Sequence, residues 1–347
     1  MKAMTIALDA MGGDYGPSVV VPAALDALAL FQDVNIILVG HRDTLSKQLK
    51  EHQADSGPRL QIHHADEVVG MEDSPSFALR SKKQSSMRLA IDLVHNHVAH
   101  ACVSAGNTGA LMAIARFVLR TLPGIDRPAI VYSMPTQLSD GKIGSIRVLD
   151  LGANVDCQGE HLFQFAVMGS ELTAAVDNVA SPRVGLLNIG SEAIKGSEAV
   201  KHAAQRLQDT KAVNYIGFVE GTDIYYGKAD VIVCDGFVGN VALKTSEGVA
   251  NFIISLLRKE FSRNLYTRFA AFILRPIFKN IKAIIDPSGY NGASLLGLNG
   301  IVIKSHGNAN RHSFKHAICE AIMEVEKNVP ERIRSKVAAH LLKQGSE

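Results

Sequence analysis

The chain has 347 residues, 47% of them hydrophobic, enough to bury one large core or two modest ones. A formal charge of +2 excludes a strongly basic protein wrapped on nucleic acid and leaves any anionic partner to a local patch. The four cysteines lie far apart with no C-x-x-C pair, the pattern of reduced thiols in an intracellular protein.

In chain order, Met1-Lys2-Ala3-Met4 runs straight into a strand at Thr5 to Asp9. No secretion signal precedes it and no later run is long and apolar enough to span a bilayer, so a cytoplasmic protein is expected. A glycine turn, Leu8-Asp9-Ala10-Met11-Gly12-Gly13-Asp14, closes that strand, and strands at Asn35 to Val39 and Arg59 to His63 follow. Arg80, Lys82 and Lys83 form a small cationic cluster after Pro75, suited to phosphate oxygens or an acidic partner. The strand Ala101 to Val103 then feeds Ser104-Ala105-Gly106-Asn107-Thr108-Gly109-Ala110-Leu111, small residues that open a helix. The first amides of such a helix lack intrahelical acceptors and carry the positive end of its dipole, which makes the turn an anion cradle.

Residues Ala129 to Met134 and Ile146 to Asp150 read as an antiparallel pair, ending in the turn Leu149-Asp150-Leu151-Gly152-Ala153-Asn154. Val184 to Ile189, Asn214 to Val219, Asp230 to Cys234 and Ile301 to Lys304 are further strands. Three of these carry their own glycine turns: Leu187 to Glu192 with Gly190 and Ser191, Cys234 to Asn240, and Ser305 to Asn308. Lys195 is expected one helical turn beyond Gly190, placed to meet a phosphate or oxyanion, and His306 to donate to an oxyanion or a leaving sulfur. Strands alternating with helices predict an α/β fold of three layers, helices on both faces of a mostly parallel mixed sheet. With no repeat and no linker, residues 1–347 read as one two-lobed catalytic unit, its strand-end turns gathered at a single crevice.

Ser255 to Ile285 breaks this rhythm. Arg258, Lys259, Arg263, Arg268, Arg275, Lys279 and Lys282 face the single acid Glu260, while Leu257, Phe261, Leu265, Phe269 and Phe272 recur at helical spacing. After a break at Pro276, Ile277, Ile281, Ile284 and Ile285 begin a second apolar face, so residues 255–286 are expected to form a protruding basic amphipathic arm. It is left open whether the arm packs on the body of the protein or on a second subunit, or rests on anionic lipid.

The motifs that would signal other chemistries are missing. There is no Walker signature, and Gly12-Gly13-Asp14-Tyr15-Gly16 has the wrong spacing for a dinucleotide turn. Gly292-Ala293-Ser294-Leu295-Leu296-Gly297 is one residue too long for a nucleophile elbow, and neither His63-His64 nor His95, His97 and His100 has ligands at metal spacing. No cofactor and no metal are predicted. A crevice of backbone amides, asparagines and a few cations suits a nucleophile that arrives already anionic, such as inorganic phosphate attacking a thioester.

Long stretches of the chain resemble the bacterial phosphate acyltransferase (PlsX-type) family. They are Ile6 to Asp14, Phe77 to Met87, Ser104 to Leu111, Leu149 to Asp156, Leu187 to Lys195, Asp235 to Lys244 and Tyr290 to Gly297 leading into Ser305-His306-Gly307. The chain departs at Ser294, where many members have proline. The resemblance implies conversion of long-chain acyl-acyl carrier protein and inorganic phosphate to acyl phosphate, which supplies a membrane glycerol-3-phosphate acyltransferase in phospholipid synthesis. It further implies a homodimer with a fold similar to isocitrate and isopropylmalate dehydrogenases and to phosphotransacetylase, and it gives the basic arm two uses, peripheral contact with the inner face of the membrane or docking of the acidic carrier protein. Asn107, Asn154, Lys195 and His306 are then expected around the reacting carbonyl. Asp9, Gly12, Gly13, Arg80, Lys82, Gly106, Thr108, Gly190, Ser191, Asp235 and Asn240 are expected to bind substrate. The alternatives are a coenzyme A-dependent phosphotransacetylase and a non-catalytic membrane scaffold for lipid enzymes.

Overall fold

The computed structural model describes residues 3–138, 140–285 and 291–344. Its β-branched and apolar runs form β1 (Met4–Asp9), β2 (Val34–Gly40), β3 (Leu60–His64), β4 (Ala101–Ser104), β5 (Ala129–Gln137), β6 (Ile143–Leu149), β7 (Arg183–Leu187), β8 (Asn214–Val219), β9 (Val231–Val233), β10 (Ala293–Leu296) and β11 (Ile301–Lys304). They lie in one sheet in the order β3-β2-β1-β4-β11-β10-β5-β6-β9-β7-β8. Only the three pairings β11–β10, β10–β5 and β5–β6 are antiparallel among the described strands. The antiparallel pair expected over Ala129 to Met134 and Ile146 to Asp150 is therefore present, whereas β10 was not anticipated: four residues between two glycines at positive φ carry too short a pattern to read.

Those three reversals turn the second half of the sheet against the first. Leu8, Val103, Ile303, Ser294, Val131, Leu149 and Val233 form one continuous row of neighbours across it. Strands on one side of the reversal run up to that row and those on the other side run down to it. Asp9, Ser104 and Lys304 thus end the first set, and Asp150 and Cys234 follow the second, so the turns at both sets of carboxyl ends meet at mid-sheet.

Helices α1 (Pro17–Leu30), α2 (Arg42–Glu51), α3 (Pro75–Ser81), α4 (Ser86–His95), α5 (Thr108–Leu119), α6 (Gly159–Val176), α7 (Glu198–Thr210), α8 (Gly236–Phe261), α9 (Leu265–Ile273), α10 (Arg275–Ile285), α11 (Arg311–Glu326) and α12 (Val329–Gln344) complete the fold. Ile6 and Leu8 of β1 face α1 and α11 through Val21, Ala24 and Phe314, while Ala7 faces α4 and α5 through Ile91 and Leu111. Across the reversal, Leu149 and Val233 pack on α6, α7 and α12. This strand-wise alternation of buried faces produces the three α/β/α layers.

The basic arm begins earlier than its composition indicates. α8 starts at the sheet, where a side chain on Gly239 would stand 2.0 Å from the Asp150 carbonyl oxygen, and continues unbroken to Phe261. Asn264 caps α9 by accepting from the Thr267 amide, and Pro276 sits in the first turn of α10, where it needs no hydrogen-bond donor. Phe261 leaves the expected apolar stripe, because its ring packs edge-on against Phe278 at 4.7 Å. Leu265, Phe269, Phe272 and Ile277 remain exposed. The side chains of Lys279, Lys282, Ile284 and Ile285, and residues 286 and 290 altogether, lie outside the described residues.

Candidate active site

Two buried aspartates hold the mid-sheet turns. Asp9, at the end of β1, accepts from the hydroxyls of Ser86 and Ser104 at 2.6 Å each and from the amides of Met11 and Gly12. Asp150, one residue past β6, accepts from the amides of Ile130, Ala153 and Asn154 and from the Asn154 side chain. Burial pushes both carboxyls above their ordinary range and these donors oppose it. Around Asp9 the backbone itself is close-packed: a side chain on Gly12 would meet the Gly106 nitrogen at 2.8 Å, and one on Gly13, at φ 85°, the Gly307 carbonyl at 2.9 Å.

The turn after β11 is pinned in the same way. Asn291 accepts from the His306 amide and donates to the Ser305 hydroxyl and the Ser313 carbonyl, while the Asp14 amide donates to the Gly307 carbonyl. Lys304 is almost fully buried beneath this turn and donates to the Ala105 and Ser305 carbonyls. Burial pushes its ammonium down to about 8, with Lys244 adding to the fall and Asp9 and Asp14 resisting it.

These turns border a cleft of about 830 Å³ over the face of β5 that carries Ile130 and Tyr132. Its lining combines polar groups, Thr108, Gly109, Lys304 and the His306–Asn308 turn, with the apolar Met112, Ile130, Leu151 and Leu243. α8 supplies Asn240, Lys244 and Glu247 from the opposite half of the sheet. Glu247 lies 2.8 Å from the Lys244 ammonium and 3.7 Å from His306 Nε2, and these partners draw its carboxyl down to about 2, so it stays ionised.

Of the residues expected at the site, the cleft gathers Thr108, Asn240 and His306 directly. Asp9, Gly12, Gly13 and Gly106 lie beneath it as its floor. Asn107 and Asn154 have committed amides. Asn107 caps α5 through the Ala110 amide and donates to the Met71 and Asp73 carbonyls; Asn154 donates to Asp150 and the Pro128 carbonyl. Asp235 caps α8 by accepting from the Val238 amide.

Gly190, Ser191 and Lys195 stand apart from the cleft lining. The expected helix does not start there, because α7 begins only at Glu198. The intervening loop closes on itself: Asn188 donates to the Lys195 carbonyl, Gly196 turns at φ 96°, and the Lys195 ammonium sits 2.7 Å from Glu192. Arg80 and Lys82, on and after α3, are likewise outside the lining. Lys304, Lys244, Glu247 and Asn291 were missed as site residues. All but Glu247 lay within or beside motifs already singled out, yet nothing local marks a lysine as the one that turns inward.

The family described as fatty acid synthesis protein matches residues 4–332. A phosphate acyltransferase of Methylococcus capsulatus is 60% identical over 333 residues, 96% of each chain. One of Nitrosococcus oceani is 58% identical over 98% of this chain and 97% of its own. Among solved structures, a phosphotransacetylase from Streptococcus pyogenes superposes with a TM-score of 0.65 at 16% identity, covering 94% of both chains. A 4-hydroxythreonine-4-phosphate dehydrogenase from Klebsiella pneumoniae gives 0.52 at 14% identity, covering 93% of this chain and 99% of its own. At such identities the structural likeness concerns the fold alone, which the chain shares with both transferase and dehydrogenase types.

Proposed function

The chain belongs to the fatty acid synthesis protein family, whose phosphate acyltransferases match it from end to end, and we propose from this that its cleft transfers an acyl group from a carrier thioester to inorganic phosphate. The observation that carries the reading is the make-up of one cleft lining: the first residues of α5 and a buried lysine together with the apolar Met112, Ile130, Leu151 and Leu243. An acyl phosphate calls for both, with its dianionic head and its hydrocarbon tail.

Phosphate arrives charged and needs no base to activate it. Asn107 takes up the third amide of α5, which leaves those of Thr108 and Gly109 to donate to phosphate oxygens at the positive end of the helix dipole. A phosphate oxygen attacks the thioester carbon, and the carbonyl electron pair moves onto its oxygen, where Lys304 stabilises the charge. Collapse of this intermediate breaks the carbon–sulfur bond, and His306, held beside Glu247, delivers a proton to the leaving thiolate. Asn107 and Asn154 act here as positioning residues, and Lys195 has no part in these steps.

The carrier we propose is an acyl carrier protein, and the product is the activated acyl donor for glycerol 3-phosphate acylation at a membrane. Exposed Phe269, Phe272 and Ile277 beside Arg258, Arg263, Arg268 and Arg275 support docking of the arm on an anionic bilayer. No helix of the described residues is long and apolar enough to cross one. Exposed Phe252 and Leu256 on α8 support a homodimer.

The test is phosphate-dependent thiol release from palmitoyl-acyl carrier protein, with hydroxylamine trapping the product as a hydroxamate. Release that requires phosphate is expected. A folded protein that releases none would overturn the reading, and faster turnover of acetyl-coenzyme A would make it a short-chain phosphotransacetylase.

A further inference from the structure

A second cavity, a groove of about 900 Å³ between α4 and α5, joins the cleft along one helix. Ala113 and Arg116 of α5 line both, so the helix face turns continuously from the cleft at Gly109 and Met112 to the groove at Phe117 and Arg120. α5 has twelve residues, about 18 Å at the usual rise, a span that only a long flexible arm would bridge from groove to reacting carbon. The groove is rimmed by Arg88, His95, Arg116 and Arg120 against the single acid Asp92. Asp92 is already engaged with Arg88 at 2.9 Å, whereas Arg116 and Arg120 have no carboxylate partner among the described residues. Between these cations Phe117 is 63% exposed, its ring centroid 5.9 Å from the Arg88 guanidinium.

Resting on the acyl-transfer reading above, we propose that the α4–α5 groove is the docking surface for an acidic carrier protein whose acyl-bearing arm reaches the cleft over Ala113. Unpaired arginines around one ordered aromatic ring suit a partner with carboxylates surrounding an apolar spot. Such charge complementarity acts mainly by raising the encounter rate and fixing the partner's orientation. Ala113, small at the junction, leaves the passage clear.

The test is Arg120→Glu, with Phe117→Asp as an independent second variant, assayed for phosphate-dependent thiol release from acyl carrier protein and for binding of fluorescently labelled carrier. Each variant is expected to raise KM and the carrier Kd about tenfold while kcat stays within about twofold, and added salt should narrow the gap from wild type for Arg120→Glu. Unchanged KM and Kd in folded variants would overturn the docking surface, as would a change in oligomeric mass without a change in carrier binding, which would make the groove a contact between copies. A wild-type protein that binds carrier but releases no thiol would refute the acyl-transfer reading alone, and loss of that binding in Arg120→Glu would still uphold the groove.

Discussion

The floor of the cleft and the helical arm share one helix and follow opposite rules. At its start α8 is locked against Asp150 through Gly236 and Gly239, with no room for a side chain. In its later turns Phe252, Ile253 and Leu256 face outward, and α9 and α10 continue the exposed apolar surface. In the floor, the carboxylate oxygens of Asp9 and Asp150 are matched by several donors, which makes the turn geometry rigid and any substitution costly. In the arm the apolar groups are unmatched, which costs little stability to change and leaves the surface free to bind.

The comparison breaks most clearly at Asp9. Asp9→Ala strands two hydroxyls and two amides in a buried floor, and the expected loss is on the order of 3 kcal/mol or more in urea unfolding. A loss below about 1 kcal/mol would mean that the floor relaxes and is not the rigid frame described.

Lys304→Met tests the floor's chemistry apart from its stability. We expect kcat/KM to fall about 100-fold with the fold retained. The Lys304 ammonium titrates near 8 when folded against 10.5 as its ordinary value, so the unfolded chain binds more protons between those limits. This contribution to stability therefore rises with pH from about 8 to 10.5, while activity that needs the cation falls as pH passes about 8. The methionine variant should lose that rise in a thermal-melting series. A rise that persists would assign it to another group.

The smallest effect on stability is expected in the arm. Phe269→Glu combined with Phe272→Glu should change the unfolding free energy by less than about 0.5 kcal/mol while weakening flotation with anionic vesicles at least tenfold. Unchanged flotation would remove these rings from the lipid-facing surface, and a large loss of stability would show that they pack on the protein.

The sequence made most strand positions legible because their signal is local. Apolar runs between turn residues mark β1, β2, β4 and β11, whereas Asn107 and Asp235, read from the sequence as site residues, cap α5 and α8. The arm was legible in its charge but not in its start, since the first turns of α8 are small and apolar like the turn before them. β10 escaped notice because four residues hold too little period.

By itself, then, the sequence determined the α/β alternation, the glycine-containing turn that opens α5, the absence of nucleophile and nucleotide motifs, and the family, all through residues within a few positions of one another or through long runs of identity. Only the tertiary structure decided which turns share the cleft. The turns at Gly12, Gly106 and Gly190 look alike in sequence, yet the first two meet under Asp9 and the third folds away on Asn188 and Glu192. Lys304 becomes a cleft cation because its ammonium reaches the Ala105 carbonyl, 199 residues away in the chain. Such pairings follow from strand order and register, which are set by the packing of whole sheet faces and not by the residues at the turn.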